Sequence, residues 1–345
     1  MDVLYYERTF RRSNLNQYGK REELLSNNLK WQNLLMYEGH LQNIIDPLHY
    51  RIISFDRLRS RNRFTMALYL LAKTYELFVH DLTCTCRELF YNNSELYGNT
   101  KRLQSVISDV CSILNVAPWE IGILSSTKGI VAGFLTLYMK NNNVIDCRYT
   151  YGATLLPNNL WDIEFLRTDA KFIFIVEKYT IFEKLLRLAI FENIGAEMIL
   201  ITGKGFPDFN TRIIVNHLGC HHHLPVYILV DADPYGIEIM CVYRFGSRAM
   251  ARKGHYLACP QVRWVGIHPS ELTSLALPTM PLTQADKRKI EELLYKPYIC
   301  ENIRKELQVM LNIKLKADID NILNNSWNSL LNDYIPNKIN RNLTI

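Results

Sequence analysis

Three short apolar runs of strand-forming residues punctuate the middle of the chain, and each stops at a charged or turn-forming residue. Lys171-Phe-Ile-Phe-Ile-Val176 runs into Glu177, Met198-Ile-Leu-Ile-Thr202 into Gly203-Lys-Gly-Phe-Pro-Asp208, and Tyr227-Ile-Leu-Val230 into Asp231-Ala-Asp233. Continuous apolar runs of this length, bounded by turn residues, predict strands buried on both faces, as in a parallel sheet. After the third run, Pro234-Tyr-Gly236 turns the chain into an apolar, helix-like segment. The order is strand, acidic turn, helix, and open α/β sheets collect their ligands at the carboxyl ends of such strands.

The first part of the chain carries helical spacing instead. Residues 1 to about 35 begin polar and become amphipathic, with Leu24, Leu25, Trp31, Leu34 and Leu35 among Lys, Glu and Asn, which suits a helix packed on the body or on a partner. Residues 62 to 80 place Phe64, Leu68, Leu71, Ala72, Tyr75 and Phe78 at helical intervals and predict a core helix with its aromatics as packing. Thr85-Cys-Arg-Glu88 has capping-box spacing and opens a short helix carrying Arg87 and Tyr91 on one face. A further helix over about 100 to 115 buries Leu103, Val106, Ile107, Val110 and Leu114. Residues 119–126 and 130–139 then predict a β-hairpin around Ser125-Ser-Thr-Lys-Gly129. Three helices followed by a hairpin is the order of a winged helix, a DNA-binding module. The expected organisation is an N-terminal segment over 1–50, a winged-helix domain over 51–147, a connector over 148–165 with Gly152 and Pro157, and an α/β domain over 166–345.

Composition adds little to this and excludes some classes. With 48% hydrophobic and 21% charged residues over 345 positions, the chain is of ordinary globular type with room for two domains. The longest apolar run, 129–139, is too short to span a bilayer, so no membrane is expected. The eight cysteines are scattered and read as reduced intracellular thiols. A net charge of +6 permits an anionic partner. Arg51, Arg57, Arg59, Arg61 and Arg63 form a basic run opposed within it only by Asp56; DNA contact and a plain solvated face are the alternatives.

The acids are the first candidate chemistry. Asp231 and Asp233 beside a buried strand end repel each other unless a cation sits between them, and hard oxygen donors suit Mg²⁺ or Mn²⁺; an Asp-rich turn without metal is the alternative. His217, Cys220, His221, His222 and His223 lack the paired spacing of structural zinc and read as a polar loop before a strand. The Gly203-Lys-Gly205 turn is not a P-loop, since Gly-x-x-x-x-Gly-Lys-Ser/Thr is absent. Glu238, on the following helix, is left off the ligand set.

Glu177, the Gly-Lys-Gly-x-Pro-Asp turn and Asp231-x-Asp233 with Pro234-x-Gly236 resemble the Toprim fold of the topoisomerase VI A-subunit family. Within it, Val230-Asp-Ala-Asp-Pro-Tyr-Gly-Ile-Glu-Ile-Met240 is closest to members that break DNA in meiosis. Arg87-Glu-Leu-Phe-Tyr91 looks like the family's nucleophile motif, and Lys128-Gly-Ile-Val-Ala-Gly133, Arg244-Phe-Gly-Ser247 and Trp264-Val-Gly-Ile-His-Pro-Ser-Glu271 are similar to further family segments. The resemblance implies an α/β (α+β) chain, with a winged-helix DNA-binding domain followed by a Toprim domain on a mostly parallel sheet. It implies Tyr91 as nucleophile with Arg87 beside it, Glu177, Asp231 and Asp233 as Mg²⁺ ligands, and a 5′-phosphotyrosyl link to DNA. A tyrosine hydroxyl, ordinarily near ~10, is a weak nucleophile at neutral pH and needs a positive neighbour or a base. Lys128, Arg57, Arg59, Arg61, Arg63 and Lys204 are the expected DNA contacts. The implied setting is the nucleus, where meiotic double-strand breaks initiate homologous recombination. The implied partners are double-stranded DNA, a second copy of the chain, other break-forming proteins and a topoisomerase VI B-like subunit. A topoisomerase that reseals its breaks, and a non-catalytic DNA-binding scaffold, are the alternatives.

Overall fold

A 22-residue run without glycine or proline forms α1 (Leu58–Val79), the first helix among the described residues. The structure is a computed structural model that describes residues 55, 57–114, 116–148, 153–188, 190–193, 197–247, 254–275, 277–321, 327 and 329–345. The expected N-terminal segment over 1–50, and Arg51 and Asp56, lie outside the described residues. After α1 come β1 (Cys84–Thr85), α2 (Cys86–Tyr91), α3 (Ser94–Tyr97), α4 (Thr100–Leu114) and β2 (Ile123–Leu124). The chain divides into two compact units at Ser126 and Thr127.

In the first unit, α1 packs on α4, and Met66, Ala67, Leu70, Leu103, Val106, Val110 and Ile123 share one core with Leu89. The expected core stripe of α1 is therefore corrected. Leu68, Tyr75 and Phe78 are 57%, 70% and 57% exposed, while Met66, Ala67, Leu70, Thr74 and Leu77 face inward. Both stripes have helical spacing. Periodicity alone does not choose between them, and the neighbouring helix selects the face whose small Ala67 and Thr74 admit close packing.

The expected hairpin is also corrected. Ile123–Leu124 pairs in parallel with Cys84–Thr85, whereas β3 (Ile130–Gly133) belongs to the second unit. Residues 127–147, assigned from sequence to the first domain, likewise sit in the second unit.

The second unit continues with β4 (Leu135–Met139), β5 (Val144–Asp146), β6 (Thr154–Leu155), β7 (Ile163–Thr168), β8 (Phe172–Val176), α5 (Tyr179–Arg187), α6 (Ile190–Asn193), β9 (Met198–Thr202), α7 (Phe209–Asn216), β10 (Val226–Leu229), α8 (Pro234–Phe245), α9 (Gly254–Leu257) and β11 (Val262–Gly266). It closes with β12 (Thr279–Pro281), α10 (Gln284–Leu294), α11 (Glu301–Ile313), β13 (Leu315–Ala317) and α12 (Ile335–Asn340). The main sheet has the order β11-β10-β8-β9-β3-β6. Its first four strands are parallel and β3 and β6 add antiparallel at the far edge. A smaller antiparallel sheet, β5-β4-β7, sits beside it in sequence. The connector expected over 148–165 is thus not a linker, because β6 and the start of β7 lie inside it and pair with β3 and β4.

Alternation along the buried strands assigns the helices. Ile173, Ile175, Ile199 and Ile201 face a core shared with Ile214 and Val215 of α7 and Ile237 and Met240 of α8. Phe172, Phe174, Val176 and Leu200 face the opposite core, with Ile181, Phe182 and Leu185 of α5. From β8 the chain passes to β9 on one side, then crosses to β10 on the other, so β8 and β10 flank the point where strand order reverses. Their following helices leave to opposite faces, which opens a crevice at the two strand ends.

One anchor fixes where this unit begins. Asp208 caps α7 through the Thr211 N–H (2.8 Å), and its other oxygen accepts the N–H groups of Lys128 (2.7 Å) and Gly129 (3.1 Å). Asn210 donates to the Thr127 hydroxyl (2.6 Å) and to the carbonyls of Pro157 and Asn158.

Candidate metal and nucleophile sites

In the first unit, Thr85 accepts from the Glu88 N–H (3.1 Å) and Glu88 accepts from the Thr85 N–H (2.6 Å), the reciprocal cap expected for α2. Leu89 is 2% exposed and holds this six-residue helix to the core. Asn93, just past it, is fixed by the Tyr69 hydroxyl (2.6 Å) and donates to the Leu89 carbonyl (3.1 Å). Tyr91 is the last helical residue, 73% exposed, with its ring edge-on to Phe90 at 5.8 Å. Arg87 is exposed one turn earlier. A capped helix therefore presents Tyr91 to solvent, with Arg87 exposed on the same helix.

In the second unit the acids meet at the crevice. Glu177 ends β8 and accepts the Asp231 N–H (3.0 Å), which ties the two strand ends together. Asp233 caps α8 through the Gly236 N–H (2.6 Å). A methyl group on Gly236 would stand 2.6 Å from the Asp231 carbonyl oxygen and 3.0 Å from Glu177 Oε2, so only glycine lets α8 start this close to both acids. Burial, with Asp231 beside it, pushes the Glu177 carboxyl up to about 8. Burial likewise raises Asp231 to about 6, against the pull of Lys178, and raises Asp233 against its bond to Gly236.

Lys178 supplies the positive charge of this site. Its ammonium lies 2.8 Å from Asp231 Oδ2 and 3.1 Å from Asp320 Oδ2, and it also donates to Asp318. The other Asp231 oxygen accepts the Ile319 N–H (2.9 Å). The segment after β13 reaches the acids because Ala317 and Ala232 exchange backbone hydrogen bonds at 3.0 and 3.1 Å. Burial alone would lower the Lys178 ammonium, but hydrogen bonds to Asp231 and Asp318 outweigh it and hold the charge firmly.

The donor types fit a hard divalent cation: three carboxylates gathered at neighbouring strand ends, each with its proton affinity raised first of all by burial. Among the described residues, however, no three carboxylate, imidazole or thiol groups form a metal cage. Both Asp231 oxygens are engaged, and Lys178 stands where positive charge is needed. Glu177, Asp231 and Asp233 are the residues that would hold Mg²⁺ or Mn²⁺. The histidine cluster offers no cage either, although the His217 ring lies 5.2 Å from those of His221 and His222 and is lowered by burial to about 4.

The basic residues expected on DNA divide. Arg57 and Arg59 are exposed at the start of α1. Arg61 donates to the Phe55 carbonyl (2.9 Å) and lies over its ring. Arg63 is a correction: it pairs with Asp109 and donates to Ser105 (2.7 Å), pinning α1 to α4 rather than facing outward. In the second unit, Lys128 is exposed beside the Asp208 anchor. Lys204 is exposed at the β9 end with its ammonium 4.9 Å from the Tyr179 ring centroid, and its neighbour Gly205 donates to the Glu177 carbonyl (2.8 Å). Glu238 pairs with Lys289 (3.2 Å) and Lys296 (3.6 Å), a structural role. Lys178, Asp318 and Asp320 escaped the sequence reading. Their signals are a lysine next to Glu177 and a second Asp-x-Asp after a short strand, Leu315–Ala317.

Comparison with known proteins adds a family. Residues 172–339 match the Toprim domain of the topoisomerase 6 A-subunit/Spo11 family, and residues 62–123 match type IIB DNA topoisomerase. The chain is 41% identical over 294 residues to the meiotic recombination protein W68 of Drosophila melanogaster, covering 85% of this chain and 88% of that protein. It is 37% identical over 320 residues to the meiotic recombination protein SPO11 of Homo sapiens, covering 91% of this chain and 81% of that one. The A-subunit of DNA topoisomerase 6 from Arabidopsis thaliana is more distant, at 28% over 310 residues, 88% of this chain and 72% of that one. The strand-end acids, the capped tyrosine helix and identity along most of both chains agree: this chain belongs to the topoisomerase 6 A-subunit/Spo11 family.

Proposed function

We propose that the chain is a metal-dependent DNA transesterase that makes the double-strand breaks of meiotic recombination in the nucleus. The observation that carries the reading is Tyr91, displayed to solvent by a capped helix inside the segment matched to type IIB DNA topoisomerase. In the proposed step the Tyr91 oxygen attacks a backbone phosphorus, its proton leaves to water, and the 3′ oxygen departs as the P–O bond to it breaks. The product is a tyrosine joined to the 5′ phosphate, with one phosphoester exchanged for another and no net hydrolysis. Arg87 offers positive charge to the phosphate or the phenolate. Glu177, Asp231 and Asp233 would hold the divalent cation, which when bound would supply positive charge to offset the charge developing on the phosphate.

The first unit is the proposed DNA-binding module. Its winged-helix reading rests on helices alone, since the expected hairpin is not formed. Arg57, Arg59 and Arg61 are its proposed backbone contacts, and the second unit adds Lys128 and, near the acids, Lys204. Cutting both strands of a duplex needs two nucleophiles, so the active form is proposed to be a homodimer working with other break-forming proteins and a B-like subunit. Kinship closer to the meiotic proteins than to the plant topoisomerase favours breakage over resealing. The test is a covalent DNA adduct on the protein, mapped by digestion and mass spectrometry. Tyr91→Phe is expected to abolish it while leaving folding and duplex binding intact; an adduct that persists would overturn the assignment.

A further inference from the structure

The proposed metal site already contains a cation, and that cation belongs to the protein. An ammonium carries three N–H donors, and Lys178 meets three carboxylates, those of Asp231, Asp318 and Asp320. Only Asp231 belongs to the metal set. Asp318 and Asp320 come from a segment 140 residues further on, and they are themselves held in place. The Asp320 N–H donates to Asp318 Oδ1 (3.1 Å), the Thr180 hydroxyl donates to Asp320 Oδ1 (2.7 Å), and the Ile319 N–H fastens the segment to Asp231. Asp231 is buried, with 6% side-chain exposure, whereas Asp318 and Asp320 are 30% and 36% exposed. The ammonium therefore bridges an inner acid that a metal needs and two outer acids that it does not.

We propose that Lys178 is a displaceable placeholder for the divalent ion, with Asp318 and Asp320 as the seat it retreats to. This rests on the metal reading of Glu177, Asp231 and Asp233. Without a metal, Lys178 holds the Asp231 carboxylate in place and offsets the repulsion among the crowded carboxylates. A dication bound to Asp231 competes with an ammonium 2.8 Å from Oδ2, because two positive charges on one carboxylate in a partly buried site repel. Lys178 then leaves Asp231 and keeps its two outer partners, which spares it from becoming an unpaired charge. Lys178 is thus a positioning residue that sets the metal affinity of the site by competing for it.

The test is Mn²⁺ binding to the full chain without DNA, read from the loss of the free-ion EPR signal. Glu177→Ala with Asp231→Ala first establishes that the Mn²⁺ counted sits on these acids. If wild-type binding does not depend on them, the metal reading fails and this proposal with it. If it does, Lys178→Gln is expected to tighten Mn²⁺ binding by about tenfold, in the range of measured couplings between close charges. Lys204→Gln, which removes an equal charge from the same sheet edge without touching Asp231, should change it less than about twofold. Asp318→Asn with Asp320→Asn removes the retreat and should weaken binding; adding Lys178→Gln to that pair should restore it. Lys178→Arg keeps the charge and should stay near wild type. Thermal melting in EDTA confirms that each variant is folded. Binding that is unchanged or weaker in folded Lys178→Gln, or strengthened equally by Lys204→Gln, would overturn the placeholder role while leaving the acid site standing.

Discussion

A single missing methyl group holds the acid site together at the scale of one residue. Gly236 lets α8 begin within contact distance of the Asp231 carbonyl and of Glu177 Oε2. Gly236→Ala is expected to destabilise the fold by about 1–3 kcal/mol, the usual range for forcing an atom into a packed site. It should also abolish metal binding, although every acid is still present; calorimetric melting and Mn²⁺ titration check the two halves. Wild-type values for both would show that α8 yields without disturbing the acids. The meeting of Glu177 and Asp231 was legible, because both follow apolar runs that read as buried strands and such strands end side by side in a parallel sheet. Lys178 was not, since a lysine before a helix is an ordinary solvated residue until a segment far along the chain brings Asp318 and Asp320 to it.

Among the elements, α12 shows how buried charge can fasten a helix. Lys338 on α12 pairs with Glu271 and donates to His268 Nδ1 (3.0 Å), and Tyr334 donates to Glu271 Oε2 (2.6 Å). Burial would raise the Glu271 carboxyl, but His268 beside it and the hydrogen bonds from Lys338 and Tyr334 outweigh burial and hold it at about 2. Unfolded, the same carboxyl titrates near ~4.3, so the folded state binds the proton less tightly than the unfolded state does. The stabilisation is therefore complete above that value and disappears as pH falls toward about 2. Glu271→Gln should lower stability at pH 7 by about 2–3 kcal/mol and flatten the acid limb of a melting-temperature profile below about pH 4. A parallel profile shifted by a constant would mean that Glu271 does not titrate as described.

Strand boundaries were legible at the same scale, with Met198–Thr202 read to the residue. The burial face of α1 was not, because two apolar stripes share its period and only α4 decides between them. The hairpin failed for a related reason. Residues 130–139 read as one strand, yet β3 and β4 join different sheets, and pairing partners are a property of the whole fold rather than of the run itself.

For the whole molecule, the two-unit division was legible but its boundary was not, since Lys128 and Gly129 answer to Asp208, 79 residues or more away. The proposed nucleophile lies in one unit and the proposed metal site in the other. If the active site is shared between two copies, a heterodimer of Tyr91→Phe with a chain carrying Glu177→Ala and Asp231→Ala holds one complete site. Such a purified heterodimer should nick duplex DNA while neither mutant homodimer cuts; a folded, DNA-binding heterodimer without nicking activity would count against sharing. The Asp208 anchor adds a mechanical consequence. Between Leu124, the last strand residue of the first unit, and Thr127, held by Asn210, only Ser125 and Ser126 intervene. Such a tether extends by no more than about 3.6 Å per residue. Whatever the first unit does, the second unit thus begins at a fixed point, with Thr127, Lys128 and Gly129 all held by the start of α7.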